Sequence, residues 1–137
     1  MHTRHAARLW AEAWKDGWEA LDPELIMARY APTAIHFSEP FRDPSRDAGD
    51  IRAYVERVLV EEEDPRVWMG EPIVDGQRAA ISWWASLREE GADATLAGTS
   101  VIRFDADGLV VEQWDTWNLL GERREPHPSS PFASDDT

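Results

Sequence analysis

The sequence predicts one α+β domain, with three helices packed on one face of a strongly curved antiparallel sheet. Three observations predict it. Apolar residues recur at helical spacing through the first sixty or so residues, with one short strand between. From Val67 onward the period changes to two. Turn signals, Asp75-Gly76, Gly91 and Asp105-Ala106-Asp107-Gly108, then divide the chain into long strands. At 137 residues the chain has the usual size of one domain.

Residues 4 to 20 read as the first helix, because Leu9, Trp10, Ala13, Trp14 and Trp18 recur at three- and four-residue spacing. Asp22-Pro23-Glu24 supplies an N-cap, a proline at the first helical position and an acid in the first turn. A short second helix to about Arg29 follows, then a strand over Ala34–Phe37. Residues 40 to 49 read as a loop. Asp50 can cap a third helix from Ile51 to about Glu62, with Ile51, Tyr54, Val55, Val58 and Leu59 on one face. The acidic run Glu61 to Asp64 reads as a solvated, fraying helix end, where the helix dipole also disfavours negative charge.

Val67, Met69, Glu71 and Ile73 share one side of the next strand. QRAAISWWASLRE, DATLAGTSVIRF and LVVEQWDTWNL are three further strands. The domain ends near residue 122, and residues 123–137 read as a Pro-rich, polar, disordered tail. A curved sheet crossed by helices forms a cone, and its mouth is where a ligand binds.

Charge and composition exclude several functions. A formal net charge of −13 repels nucleic-acid phosphate and anionic membrane surfaces. No run approaches the ~20 apolar residues of a membrane span, and the N-terminus has no signal-peptide core. With no Cys there is no disulfide, thiol nucleophile or thiolate metal site, which fits a cytoplasmic protein. No metal is expected, because His2, His5, His36 and His127 lack ligand spacing. No cofactor is expected either, since no Gly-rich phosphate loop appears. Eight Trp, however, suggest a thick core or an aromatic cavity.

Three segments carry a resemblance: LDPELIMARYAPTAIHFSEPF, the Gly-Asp-Ile-Arg helix start at 49–52, and TSVIRFDADGLVVEQWDTW. Over about residues 5 to 121 the chain resembles the nuclear transport factor 2-like superfamily, in its SnoaL-like and ketosteroid-isomerase-like branch. The resemblance implies the cone fold for this chain. For activity it leaves isomerases, cyclases, dehydratases, epoxide hydrolases and binding modules open.

The isomerase-like pattern implies a catalytic base at the end of the first strand, here Glu39. It puts the two oxyanion donors at Trp14 and Ser100, and a pocket aromatic at Trp117. Neither donor is strong, and losing one such donor costs roughly 3 kcal/mol of barrier. Steroid isomerisation is therefore not expected. The polyketide-cyclase-like pattern implies instead an acid on the last strand near a Trp, which is Asp115 in VEQWDTW. Asp115 and Trp117 share a sheet face. A carboxylate beside indole rings is poorly solvated, the setting that acid–base chemistry near neutral pH uses.

Against these stand plainer roles. Glu39 can pair with Arg42 or Arg46 beside a turn, and Asp115 can be a buried structural acid. His36 can be structural, or the partner of Glu39 or Asp115. Tyr30, Phe41 and Trp83 complete the expected lining with Trp14, Ser100 and Trp117. Trp83 and Trp84 face opposite sides of the sheet, so the outward one needs cover. A second subunit packed through the outer sheet face would supply it, as a homodimer.

Three functions follow as expectations. The first is binding of an apolar or aromatic small molecule. The second is an acid–base enzyme, cyclase-like or isomerase-like, with Glu39 or Asp115 as base. The third is a structural dimer without chemistry. An open cavity holding both carboxylates favours the enzyme, and a filled one favours structure.

Overall fold

The computed structural model describes residues 1–132. Residues 133–137, the end of the expected tail, lie outside the described residues. Helix α1 spans Thr3–Glu19, α2 Pro23–Met27 and α3 Ala48–Val60. The strands are β1 (Tyr30–Phe37), β2 (Glu62–Met69), β3 (Ile73–Asp75), β4 (Arg78–Glu89), β5 (Ala92–Phe104) and β6 (Val110–Leu120). They form one sheet in the order β1-β6-β5-β4-β2, with β3 on β4.

The α+β class and the three helices are as expected, but the sheet is mixed. Strand β1 lies parallel to β6, with His36 beside Gln113 and Phe37 beside Trp114. Sequence patterning carries no signal for strand direction across so long a separation. Strand β1 also begins earlier than expected, at Tyr30. A register shift after Tyr30 lets the Pro32-containing stretch stay in the strand at the sheet edge.

Each helix forms for a local reason. Along α1, Ala6, Ala7, Trp10, Ala11 and Trp18 are buried. Gly17 is required by close approach, because a Cβ there would lie 2.7 Å from Ile26 Cγ1. Asp22 caps α2, its side chain accepting from the Glu24 amide. Asp47, rather than Asp50, caps α3, accepting from the Asp50 amide at 2.8 Å. Ile51, Val55 and Leu59 then turn inward at four-residue spacing.

Helix α1 packs on β2 and β4, and α3 packs on β1. The core lies between them and the sheet, with Trp10, Ile26, Ile51, Ile81, Leu87 and Phe104 among its largest buried side chains.

Two expectations fail on the sheet's edges. The acidic run is not a fraying helix end. Strand β2 starts at Glu62, which pairs with Glu89 on β4 and is buried. A left-handed Asp64 and a register shift follow, and together they turn Val67 inward. Nor is the tail loose over its described part. Arg123 donates to Ser86 Oγ at 2.9 Å and to the Asp64 carbonyl at 2.6 Å. Phe132 is buried near the outward-facing Trp84, whose indole N–H donates to the Arg124 carbonyl at 2.7 Å. The cover over Trp84 is thus the chain's own C-terminal segment.

Candidate functional site

The three central strands determine what faces the helices. Ser100 on β5 stands directly opposite Asp115 on β6, and Gly98 opposite Trp117. Gly98 also stands opposite Trp83 on β4. Two indoles therefore flank a position with no side chain. The approach there is tight, since a Cβ on Gly98 would lie 2.1 Å from the Thr116 carbonyl oxygen. Period two puts Gln113, Asp115 and Trp117 on the same inward face.

Asp115 is the hub of a buried polar network. Its Oδ1 accepts from Ser100 Oγ at 2.6 Å and from Gln113 Nε2 at 2.9 Å. Its Oδ2 lies 2.6 Å from His36 Nε2. The Asp115 oxygen facing the ring accepts, which assigns the His36 ring hydrogen to Nε2. His36 Nδ1 is buried without a hydrogen-bond partner.

A second layer fixes Gln113. Its Oε1 accepts from the Tyr30 hydroxyl and from the Trp10 indole at 3.1 Å. Tyr30 in turn accepts from the Trp14 indole at 2.9 Å. With its oxygen so engaged, the Gln113 amide must present its NH₂ to Asp115. Burial and the Asp115 charge push the Tyr30 phenol far above the ordinary tyrosine range.

The network borders a cavity of about 80 Å³ between sheet and helices. Trp14, Trp18, Trp83 and Trp117 form much of its wall, with Leu59 and Leu96 among the aliphatic lining. His36, Ser100, Gln113 and Asp115 meet it at one side. Tyr54 meets it too, against the edge of the His36 ring, and burial raises its phenol to about 12. A volume of about 80 Å³ holds roughly five to eight water-sized groups.

A second carboxylate, Glu62, borders the same cavity. Its Oε1 accepts from the Trp18 indole at 2.6 Å. Burial raises its proton affinity to about 7, Glu89 across the strand pair adds to this, and the Trp18 bond opposes it. The acidic run hid this residue, because four acids in a row read as a solvated surface. Gln113 carried a findable signal, the two-residue spacing from Asp115.

Of the expected site residues, Trp14, His36, Trp83, Ser100, Asp115 and Trp117 border the cavity. Tyr30 does not; it lies beneath the wall and positions Gln113. Glu39 is half-buried in the bend after β1 and does not line the cavity. Phe41 is fully exposed, at 102% of its reference area, so its expected place in the lining is wrong. The reason is local. The chain folds back after β1 so that His36 and Ser45 exchange backbone hydrogen bonds, and this throws Phe41 to the loop tip. Among the described residues no cluster of three or more His, Cys, Asp or Glu could hold a metal. No described helix is long and apolar enough to cross a membrane.

Solved structures share this architecture. One is SalBIII, described as an epoxide hydrolase/cyclase-like enzyme in pyran ring formation in the polyether salinomycin. It superposes with a TM-score of 0.71 at 13% identity, covering 83% of this chain and 91% of that one. Another is the BvnE pinacolase from Penicillium brevicompactum, with a TM-score of 0.71 at 13% identity, covering 85% of each chain. Identities this low speak for the fold alone. The comparison with curated proteins found no match. The family model for the SnoaL-like domain matches residues 11–113, most of the chain. The protein therefore belongs to the SnoaL-like domain family.

Proposed function

We propose that the protein is an acid–base enzyme that binds the compact end of an apolar small molecule and removes a proton from it, with Asp115 as the base. One observation carries the reading. The Asp115 carboxylate, held by Ser100, Gln113 and His36, borders a cavity walled by indoles. His36 acts through Asp115, because its side chain is 1% exposed against 12% for Asp115.

The proton comes from oxygen rather than carbon. Enolate chemistry needs donors aimed at a developing oxyanion. The two residues at the expected donor positions spend their hydrogens inside the wall, Ser100 on Asp115 and Trp14 on Tyr30. A hydroxyl substrate needs no such hole. Asp115 takes the hydroxyl proton, the oxygen attacks an electrophilic carbon such as that of an epoxide, the epoxide C–O bond breaks, and the alkoxide is reprotonated by Asp115. The described activity of SalBIII is compatible with this chemistry.

The test is ring closure of 4,5-epoxypentan-1-ol, a short chain that can present its hydroxyl end to Asp115, followed by gas chromatography. Wild type should accelerate formation of tetrahydrofurfuryl alcohol or tetrahydropyran-3-ol. Asp115→Asn should lose about 100-fold. No acceleration over buffer, or an undiminished rate in Asp115→Asn, would sink the reading in favour of binding without chemistry.

The homodimer through the outer sheet face is part of the proposal. Its support is the exposed cross-strand pair of Trp114 on β6 and Val101 on β5. Sedimentation equilibrium of wild type against Trp114→Glu tests it, and an unchanged monomer mass in both would contradict it.

A further inference from the structure

The cavity's polar inventory is one-sided. Five indoles border it, and each N–H is already spent on the wall. Trp10 donates to Gln113 at 3.1 Å, Trp14 to Tyr30 at 2.9 Å, Trp18 to Glu62 at 2.6 Å, Trp83 to Ser100 at 3.0 Å and Trp117 to the Ser38 carbonyl at 2.7 Å. The Ser100 hydroxyl donates to Asp115. Gln113 and His36 do the same. What remains for a ligand is aromatic ring surface, carboxylate oxygen and the Tyr54 hydroxyl.

The charges point the same way. Among the described residues no Lys or Arg borders the cavity, whereas Glu62 and Asp115 both do. Arg42 and Arg57 sit over the Tyr54 ring without joining the lining. Asp115 already has three donors. Glu62 has one, from Trp18, and is 6% exposed. The rings beside it run in a continuous chain, Trp14 to Trp18 at 5.8 Å and Trp18 to Trp83 at 5.9 Å between centroids. A carboxylate beside clustered indole faces is the arrangement that stabilises an organic cation. Among the described residues an anion would meet two carboxylates and no cation, with the Tyr54 hydroxyl as its one side-chain donor.

We propose that the cavity selects a compact organic ammonium group, with Glu62 as its counter-ion and Trp14, Trp18 and Trp83 as its aromatic walls. The volume sets the size, since about 80 Å³ is roughly half that of a cavity that takes up benzene, room for a methylated ammonium head. A small quaternary ammonium or a protonated amine fits, and an amino alcohol would also carry a hydroxyl toward Asp115. Burial already holds the Glu62 acid near neutrality, at about 7. A bound cation would favour its ionised form. The proposal does not require that Asp115 act as a base.

The test compares choline with its neutral carbon isostere 3,3-dimethylbutan-1-ol and with the anion 3,3-dimethylbutanoate, by isothermal titration on the full chain. Choline should bind about tenfold more tightly than the isostere, and the anion should not bind. Glu62→Gln keeps the acceptor for Trp18, so it should fold, and it should abolish most of the choline preference. Equal binding of choline and isostere, preferred binding of the anion, or no choline binding at millimolar concentration would overturn the proposal. A choline preference unchanged in Glu62→Gln would remove Glu62 from it. Because the readout is binding, a protein that selects choline yet closes no epoxide ring refutes the catalytic reading alone.

Discussion

Asp115 Oδ2 lies 2.6 Å from His36 Nε2, across the parallel pairing of β1 with β6. The contact joins residues distant in sequence, and it exists because His36 and Gln113 are register partners two residues from Asp115. A parallel edge strand thus delivers the imidazole to the carboxylate. Asp115→Asn would turn one acceptor oxygen into a donor facing Ser100, Gln113 or His36. Urea denaturation should show a loss of about 1–3 kcal/mol, with the circular dichroism spectrum unchanged.

Glu62 gives the protein a pH-dependent stability. Its proton affinity rises from 4.5 to about 7 on folding, so the folded chain binds a proton that the unfolded chain releases between those values. The stability is fully present below pH 4.5 and is lost as pH rises through about 7. The loss is at most about 3 kcal/mol. Glu62→Gln should be as stable as wild type at pH 5 and more stable at pH 8 by chemical denaturation. Equal stability at both values would show that Glu62 is solvated.

Gly98 is fixed by contact. A Cβ there would strike the Thr116 carbonyl and Trp117, both on the neighbouring strand. Gly98→Ala should therefore cost about 1–3 kcal/mol, read from the denaturation midpoint. It should also change the Trp117 fluorescence environment at the cavity wall.

The C-terminal segment behaves as part of the fold. Removing residues 123–137 uncovers Trp84 and takes away the Arg123 bonds to Ser86 and Asp64. Truncation should lower the melting temperature and raise binding of the dye ANS. Phe132→Ala alone should cost up to about 3 kcal/mol. A truncated chain with unchanged melting temperature would mean that the segment adds nothing.

Much of the fold was legible, and the reasons are physical. Trp10, Trp14 and Trp18 recur every four residues, so α1 announced itself. Asp75-Gly76 sits between two runs of period two, so the hairpin into β4 did as well, but the one strand expected from Val67 to Ile73 is broken after Met69 into β2 and β3. Asp115 and Trp117 were placed on one face by strand periodicity alone, and the family resemblance pointed that face at a cavity. Glu62 was not legible, since its burial comes from pairing with Glu89 and not from any local pattern. Phe41 misled for the opposite reason. Its apolar side chain suggested burial, but the backbone return from His36 to Ser45 leaves it outside.

The most direct test of the central claim, that a small molecule enters beside Asp115, uses the chain's own eight tryptophans. Their indole N–H resonances can be assigned by single Trp→Phe variants and followed by ¹H–¹⁵N NMR during titration with 4,5-epoxypentan-1-ol. Trp10, Trp14, Trp18, Trp83 and Trp117 border the cavity, whereas Trp68, Trp84 and Trp114 do not. Saturable shifts are expected in the cavity-bordering set alone. Shifts centred on Trp68, Trp84 or Trp114, or none at any indole, would contradict that claim.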